Sequence, residues 1–523
     1  MARQDGRSAA GGGVLGWIER TGNRLPDPVF IFVYLIAALV VASVVASLAG
    51  YSALHPTRRD AAGAPVVIAA ASLLAPDNIR RLWADMPLTF TGFHPLGYVL
   101  VVMLGAGIAE RSGLFAAAMR GAVQGAPKAL LTPMVALVAM MGNLAADAAY
   151  VVLIPLAGIL FAAAGRHPIA GIGCAFAGVS GAFSANLLPG QLDALLFGIT
   201  EAAAEALVPA WNANIVGNWY FISGMTVVFL PLIWYVTDRV IEPRLGVYAA
   251  TDAPLALAAH EHRPLDAAQK RGLARAGVAA LAVVSLWALF VLGPGTPLID
   301  QSAAGPARLS PFFRSLVAAF FVLFLACGWA YGVAAGTVTG HRDIVRMMKE
   351  SMADLAYYLV LAFAAAHFIA MFAWSNLGLI FAVQGAEAIR ASSLPAPALL
   401  GLIVLLTAAV NLFVGSASAK WALLAPVLVP MMMLLGVSPE ATTAAYRVGD
   451  GATNIITPLM VYFPLILTFC QRWQKDFGLG SLAATMIPYA VGLLAVGLVL
   501  TIAWMALDVP LGPAAPVHYR MPP

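Results

Sequence analysis

Charge is what this sequence has least of. Asp, Glu, Lys and Arg make up 10% of its 523 residues, where a soluble domain carries roughly a quarter. With 61% of residues apolar, a soluble globule of this size would lack the polar surface to cover itself. That excludes a cytosolic enzyme and a disordered chain. A nucleic-acid binder is excluded too, because the net charge of +4 is modest and is distributed by topology rather than gathered into a patch. Lysine is scarcer still: Lys128, Lys270, Lys349, Lys420 and Lys475 complete the set, and none follows a glycine. A phosphate-binding Gly-Lys loop for ATP is therefore absent, as are HExxH and GxSxG. Cysteine is limited to Cys174, Cys327 and Cys470, in or at the end of apolar segments and without ligand spacing. They read as small buried hydrophobes. The His260-Glu261-His262 run lies in a charged loop and reads as a solvated linker rather than a metal site. The first 27 residues hold four arginines and no apolar run, so no cleavable signal is expected and the first hydrophobic segment reads as a retained helix.

Long apolar runs are what the sequence has instead. A spanning helix needs about 20 apolar residues, and runs of that kind occur near 28–50, 95–120, 168–200, 214–238, 271–293, 312–338, 352–385, 439–470 and 481–507. Two more stretches, 127–165 and 396–436, are interrupted by GNLAADAAY (142–150) and NLFVGSASAKW (411–421). Irregular backbone at membrane depth is tolerated only inside protein or along a wet cavity, so both stretches read as re-entrant hairpins. The expected fold is an all-α polytopic membrane protein of nine spans and two hairpins. Its parts are an N-terminal segment (1–27), a first helix and outer loop (28–94), a first repeat (95–238), a linker with two intervening helices (239–351), a second repeat (352–507) and a tail (508–523). With the N-terminus inside, 19 Lys and Arg fall inside and 8 outside. That bias supports N-in, C-out.

The two repeats are legible in the spacing. Asn143 and Asn186 are 43 residues apart, and so are Asn411 and Asn454; the offset of 268 also carries Gly181 onto Gly449. SGLF (112–115) resembles LGLI (377–380) after a short slip. Each half reads span, interrupted hairpin, interrupted span, span. Five crossings separate the two starts, so the halves are expected to be inverted relative to one another.

Ionisable groups within spans are costly and mark function by default. In SANLLPGQLD (184–193), Pro189 and Gly190 break the third span just before Asp193. In RVGDGATNIITP (447–458), glycines and Pro458 loosen the eighth beside Arg447, Asp450, Thr453 and Asn454. Unwound backbone frees carbonyls for a cation, and half-helix N-termini favour anions. Arg447 and Asp450 share a helix face, so a structural ion pair between them competes with a functional reading. Asp193 competes with a solvated residue near the outer end of its span. Asn143 and Asp147 sit on the first hairpin tip; Asn411, Ser416, Ser418, Lys420 and Trp421 sit on the second. The tip asparagines suit helix capping as well as ion binding. Trp421 suits either an interfacial anchor or a platform for an aryl ring, and the role of Lys420 is left open.

GWIERTGNRLPDP (16–28), GNLAADAAYVVLIPLAG (142–158), SANLLPGQLD (184–193) and GDGATNIITPLMVYF (449–463) resemble the p-aminobenzoyl-glutamate transporter (AbgT) family over nearly the whole chain. The resemblance implies a homodimer of nine-helix, two-hairpin protomers, of the ion-transporter-superfamily kind and similar in fold to sodium-coupled dicarboxylate transporters. It implies transport of p-aminobenzoyl-glutamate or export of folate-pathway antimetabolites such as sulfonamides across the inner membrane. The family's transport residues fall on Asp193, Ser418, Trp421, Arg447, Asp450 and Pro458. No cofactor is implied; the coupling ion is a proton or sodium, the latter near Asn143, Asn186, Asn411 and Asn454. A sodium–dicarboxylate symporter is the alternative within transporters. A membrane-embedded enzyme would need a catalytic dyad, and none is visible; a channel would pass solute downhill without saturating.

Overall fold

The computed structural model describes residues 27–59, 64–124, 127–145, 149–209, 211–246, 248, 264–302, 308–457, 460 and 462–521. Asp147, Pro458 and the 260–262 run lie outside them. Helix α1 (Pro28–Leu48) starts where sequence chemistry places a start. The Asp27 carboxylate accepts from the Val29 N–H at 2.8 Å, and proline fills the first turn. The following loop departs from the all-α expectation. It folds into an antiparallel ribbon of β1 (Ser52–Arg59) and β2 (Pro65–Ala69). A lone two-stranded ribbon is marginal in water, and this one is tied down: the Ala71 N–H donates to Ser375 O at 3.0 Å and Asn376 Nδ2 to Ala69 O at 2.8 Å. Two short helices, α2 (Pro76–Ala84) and α3 (Met86–Thr91), complete the loop.

The segment expected as one span near 95–120 is two helices, α4 (His94–Arg111) and α5 (Leu114–Gln124), bent by 62°. Gly113, at φ +90°, takes the left-handed turn that ends α4. The first interrupted stretch follows as α6 (Leu131–Met141) and α7 (Ile154–Ala163), the latter entered by a π-helical turn at Ala149–Leu153. Next, α8 (Pro168–Phe176) runs through a second π-helical turn to Gly181; irregular backbone then lasts until α9 (Gln191–Glu205). The break therefore lies where Pro189 and Gly190 placed it. Helices α10 (Trp219–Tyr235), α11 (Glu242–Leu245), α12 (Ala267–Leu292), α13 (Ser310–Ala335) and the amphipathic α14 (His341–Asp354) lead to the second half.

The second half repeats the sequence of events. The stretch expected as one span at 352–385 is α15 (Ala356–Trp374) and α16 (Leu377–Ser392), separated by Asn376 at φ +60°. The second interrupted stretch is α17 (Ala396–Asn411) and α18 (Ala417–Leu434), the broken helix is α19 (Pro439–Ala452) and α20 (Phe463–Gln471), and α21 (Leu479–Ala506) closes the bundle. Among the described residues, seven helices are long and apolar enough to cross a membrane, and the bent α4–α5 pair adds an eighth if counted as one span. Only 6% of the apolar window of α12 is buried in protein, against 67% for α18, so α12 turns its apolar surface outward while α18 lies inside. Every residue of α8 and of α19 is buried. These two half-helices form the centre of the bundle, and α19 packs on α17, α18 and α21.

Candidate functional site

Two helix breaks meet at that centre. A Cβ on Gly451 would lie 2.9 Å from Gly181 O, and Asn454 Nδ2 reaches Ser180 O at 3.4 Å. The tip of the first interrupted stretch closes on the same place, since a Cβ on Gly190 would meet Leu144 Cδ2 at 2.6 Å. Capping explains why the half-helices begin where they do. The Asp193 carboxylate accepts from the Gly190 N–H at 2.7 Å at the start of α9. Ser438 Oγ accepts from Ala441 N–H at 3.1 Å at the start of α19, and Ser416 Oγ from Ala419 N–H at 3.3 Å at the start of α18.

Four charges are sealed here, in two pairs. Arg447 Nη2 donates to Asp193 Oδ1 at 2.6 Å, with the side chains 1% and 6% exposed. Lys420 pairs with Asp450 at 0% and 2% exposure. The competing reading of a structural pair along the face of α19, Arg447 with Asp450, gives way to partners from α9 and α18. In a low-dielectric interior each charge needs a contact partner, and α9 and α18 supply these two. The reading of Asp193 as a solvated residue is overturned by the same contact. Arg447 keeps a buried donor in reserve: its Nε has no hydrogen-bond partner among the described residues, while the guanidinium carbon lies 5.9 Å from the Phe197 ring centroid.

Trp421 is fully buried in protein, so the interfacial-anchor reading falls. Its ring lies 4.4 Å from that of Tyr446, tilted by 33°, and its Nε1 donates to Thr200 Oγ1 at 2.9 Å. The Tyr446 hydroxyl donates to Ala417 O at 2.6 Å and lies 3.3 Å from Asp450 Oδ1. Ser418 is 3.2 Å from Ser416 and lines a narrow cleft with Phe93, Leu195, Ile199 and Tyr358.

The asparagines divide. Asn411 Nδ2 donates to Asp450 O (2.6 Å), Thr453 Oγ1 (2.9 Å) and Asn454 Oδ1 (3.0 Å), and its Oδ1 accepts from Lys420. Asn186 reaches Met140 O at 3.5 Å and accepts from Leu188 N–H at 3.1 Å. Asn143 has both amide atoms buried and without a hydrogen-bond partner among the described residues. The structure therefore assembles Asp193, Arg447, Asp450, Lys420, Trp421, Asn411, Thr453 and Asn454 around the breaks and adds Thr200 and Tyr446. Of the additions, only Tyr446 carried a sequence signal, at i,i+4 from Asp450 on a charged helix.

Broken helices that meet around sealed charges inside a bundle of apolar spans define a membrane transport protein. The chain belongs to the AbgT putative transporter family, whose model matches residues 13–519. It is 36% identical to the p-aminobenzoyl-glutamate transport protein of Escherichia coli K12 over 97% of both chains. Its fold is similar to that of the YdaH transporter of Alcanivorax borkumensis, with TM-score 0.85, 42% identity and coverage of 93% of this chain and all of that one. It is also similar to MtrF of Neisseria gonorrhoeae, described as illuminating a class of antimetabolite efflux pumps, with TM-score 0.89, 39% identity and coverage of 96% and 100%. These relatives are transport proteins, not enzymes.

Proposed function

We propose that this chain is a secondary transporter, driven by a proton or sodium gradient, that moves p-aminobenzoyl-glutamate or exports folate-pathway antimetabolites such as sulfonamides. The observation that carries the reading is Arg447: a buried guanidinium, held by Asp193, with its Nε donor unsatisfied among the described residues. An unpaired buried donor is costly, and a carboxylate or sulfonyl oxygen of a substrate would satisfy it. Trp421 would supply the aryl platform once Tyr446 gives way, and Asp193 and Asp450 would carry the coupling ion.

The protomer reads as nine spans and two hairpins in inverted repeats, paired as a homodimer in the inner membrane with its N-terminus in the cytoplasm and its C-terminus outside. Support for the repeats comes from packing. A Cβ on Gly178 would meet Ala136 O, Ala139 and Met140 N, and one on Gly449 would meet Val404 O, Thr407 and Ala408 N. The contacted residues of the second set lie 268 residues beyond those of the first, and the two glycines are 271 apart. The matched turns at Gly113 and Asn376 support it further.

The test is flux of p-aminobenzoyl-glutamate into proteoliposomes under separately imposed proton and sodium gradients. Saturable accumulation against the substrate gradient under one of them is expected. Downhill flux that does not saturate would instead make the protein a channel.

A further inference from the structure

Sodium is one of the two coupling ions the resemblance brings, and Asn411, Asp450 and Asn454 supply the side-chain oxygens a hard cation would take. One side-chain oxygen of each is already engaged. Asp450 Oδ1 and Asn411 Oδ1 both face the Lys420 ammonium, and Asn454 Oδ1 accepts from Asn411 Nδ2 at 3.0 Å. The orientation of the Asn411 amide is not free. Its Nδ2 points at three acceptors, Asp450 O, Thr453 Oγ1 and Asn454 Oδ1, so turning it over would set its oxygen against them and its NH2 against an ammonium. Thr453 Oγ1 is fixed as well, donating to Ala408 O at 3.1 Å while it accepts from Asn411. Lys420 lies in the first turn of α18, at the positive end of the helix, where a cation is disfavoured. It is fully buried there. The carboxylate and amide oxygens are what keep it in place. Asp450 Oδ1 and Asn411 Oδ1 therefore fit an ammonium, and with that ammonium in place a metal ion entering among these described residues meets a like charge.

We propose that the Lys420 ammonium is the resident cation of this pocket. The wild-type chain binds no sodium between Asn411, Asp450 and Asn454, and removing the ammonium opens the pocket to a monovalent cation. Lys420 is thus an ion-specificity determinant of the site, an inference that rests on reading the two helix breaks as the transport site.

The experiment is equilibrium binding of radioactive sodium to the purified full chain in lipid nanodiscs, with N-methylglucamine holding ionic strength constant. Lys420→Ala is expected to gain sodium affinity by roughly tenfold or more over wild type, because a like charge leaves while the carboxylate stays. Adding Asp450→Asn should abolish the gain, and Lys420→Arg should show none. No gain in a folded Lys420→Ala protein overturns the proposal. Should Lys420→Ala not fold, the wild type and Asn454→Ala decide the matter. Equal sodium binding by the two supports the proposal, and loss of sodium binding in Asn454→Ala overturns it. Because binding is read without substrate, failure of the flux assay would remove the transport reading and leave this result standing.

Discussion

If Arg447 belongs to Asp193 rather than to its helix neighbour Asp450, a double-mutant cycle will show it. The contact is 2.6 Å and nearly sealed from solvent. With charge centres about 4 Å apart and an effective dielectric near 20, the attraction is about 4 kcal/mol. Stranding one member of a buried pair costs about 3–5 kcal/mol, so Arg447→Met and Asp193→Asn should each destabilise the protein by amounts in or somewhat below that range. The double variant should recover a large part, giving a coupling of about 2–3 kcal/mol. Arg447→Met combined with Asp450→Asn should come closer to the sum of its parts, because Asp450 has its own partner in Lys420. The assay is denaturant or thermal unfolding of purified protein in nanodiscs, with retention on a sizing column to confirm fold. A larger coupling for Arg447 with Asp450 than for Arg447 with Asp193 would falsify the pairing, and with it the geometry of the two breaks.

Four further outcomes are expected. Gly449→Ala should cost about 1–3 kcal/mol by overpacking, since its methyl would sit 2.8 Å from Thr407 Cβ and 2.9 Å from Ala408 N. Gly277→Ala, with open space around it, should be neutral or stabilising by up to about 1 kcal/mol in the same unfolding assay. Trp421→Phe should retain the Tyr446 contact and lose about 1 kcal/mol with the Thr200 hydrogen bond, keeping most flux; Trp421→Ala should lose about 3–5 kcal/mol of stability to the cavity. Equal stability of the two would show that the indole is not packed as described. Finally, His167, in the turn between α7 and α8, accepts from the Ile169 N–H, and burial lowers its pKa against an upward pull from Glu242. A lowered pKa means the unfolded chain takes up a proton first. The neutral ring therefore stabilises above about pH 6.5, and that contribution fades as pH falls toward the folded value. His167→Asn, which caps without titrating, should flatten the melting temperature between pH 7.5 and 5.5; an unchanged slope would assign the dependence elsewhere.

Hydropathy and local chemistry already determined much of this protein in one dimension. Apolar runs of spanning length, the break at Pro189 and Gly190, the interruption at Asn411 and the spacing shared by the two halves are all properties of short windows. Backbone hydrogen bonding responds to such windows directly: a proline removes a donor and a glycine loosens the chain wherever the helix later packs. The bends at Gly113 and Asn376 were within reach too, since SGLF and LGLI mark them, though both regions read as single spans because apolar composition does not register a turn. What only the tertiary structure decided was pairing. Asp193 and Arg447 are separated by 254 residues, and nothing in the window around either names the other. Helix periodicity offered Arg447 and Asp450 to each other, and the bundle gave each a different partner by bringing α9 and α18 against α19. The same holds for Trp421, whose sequence context suits an interface equally well, and for Lys420, whose burial depends on Asp450 and Asn411 arriving from other helices. A buried charge is tolerated only with its counter-charge in contact, and contact is a property of the packed bundle rather than of the order of residues along the chain.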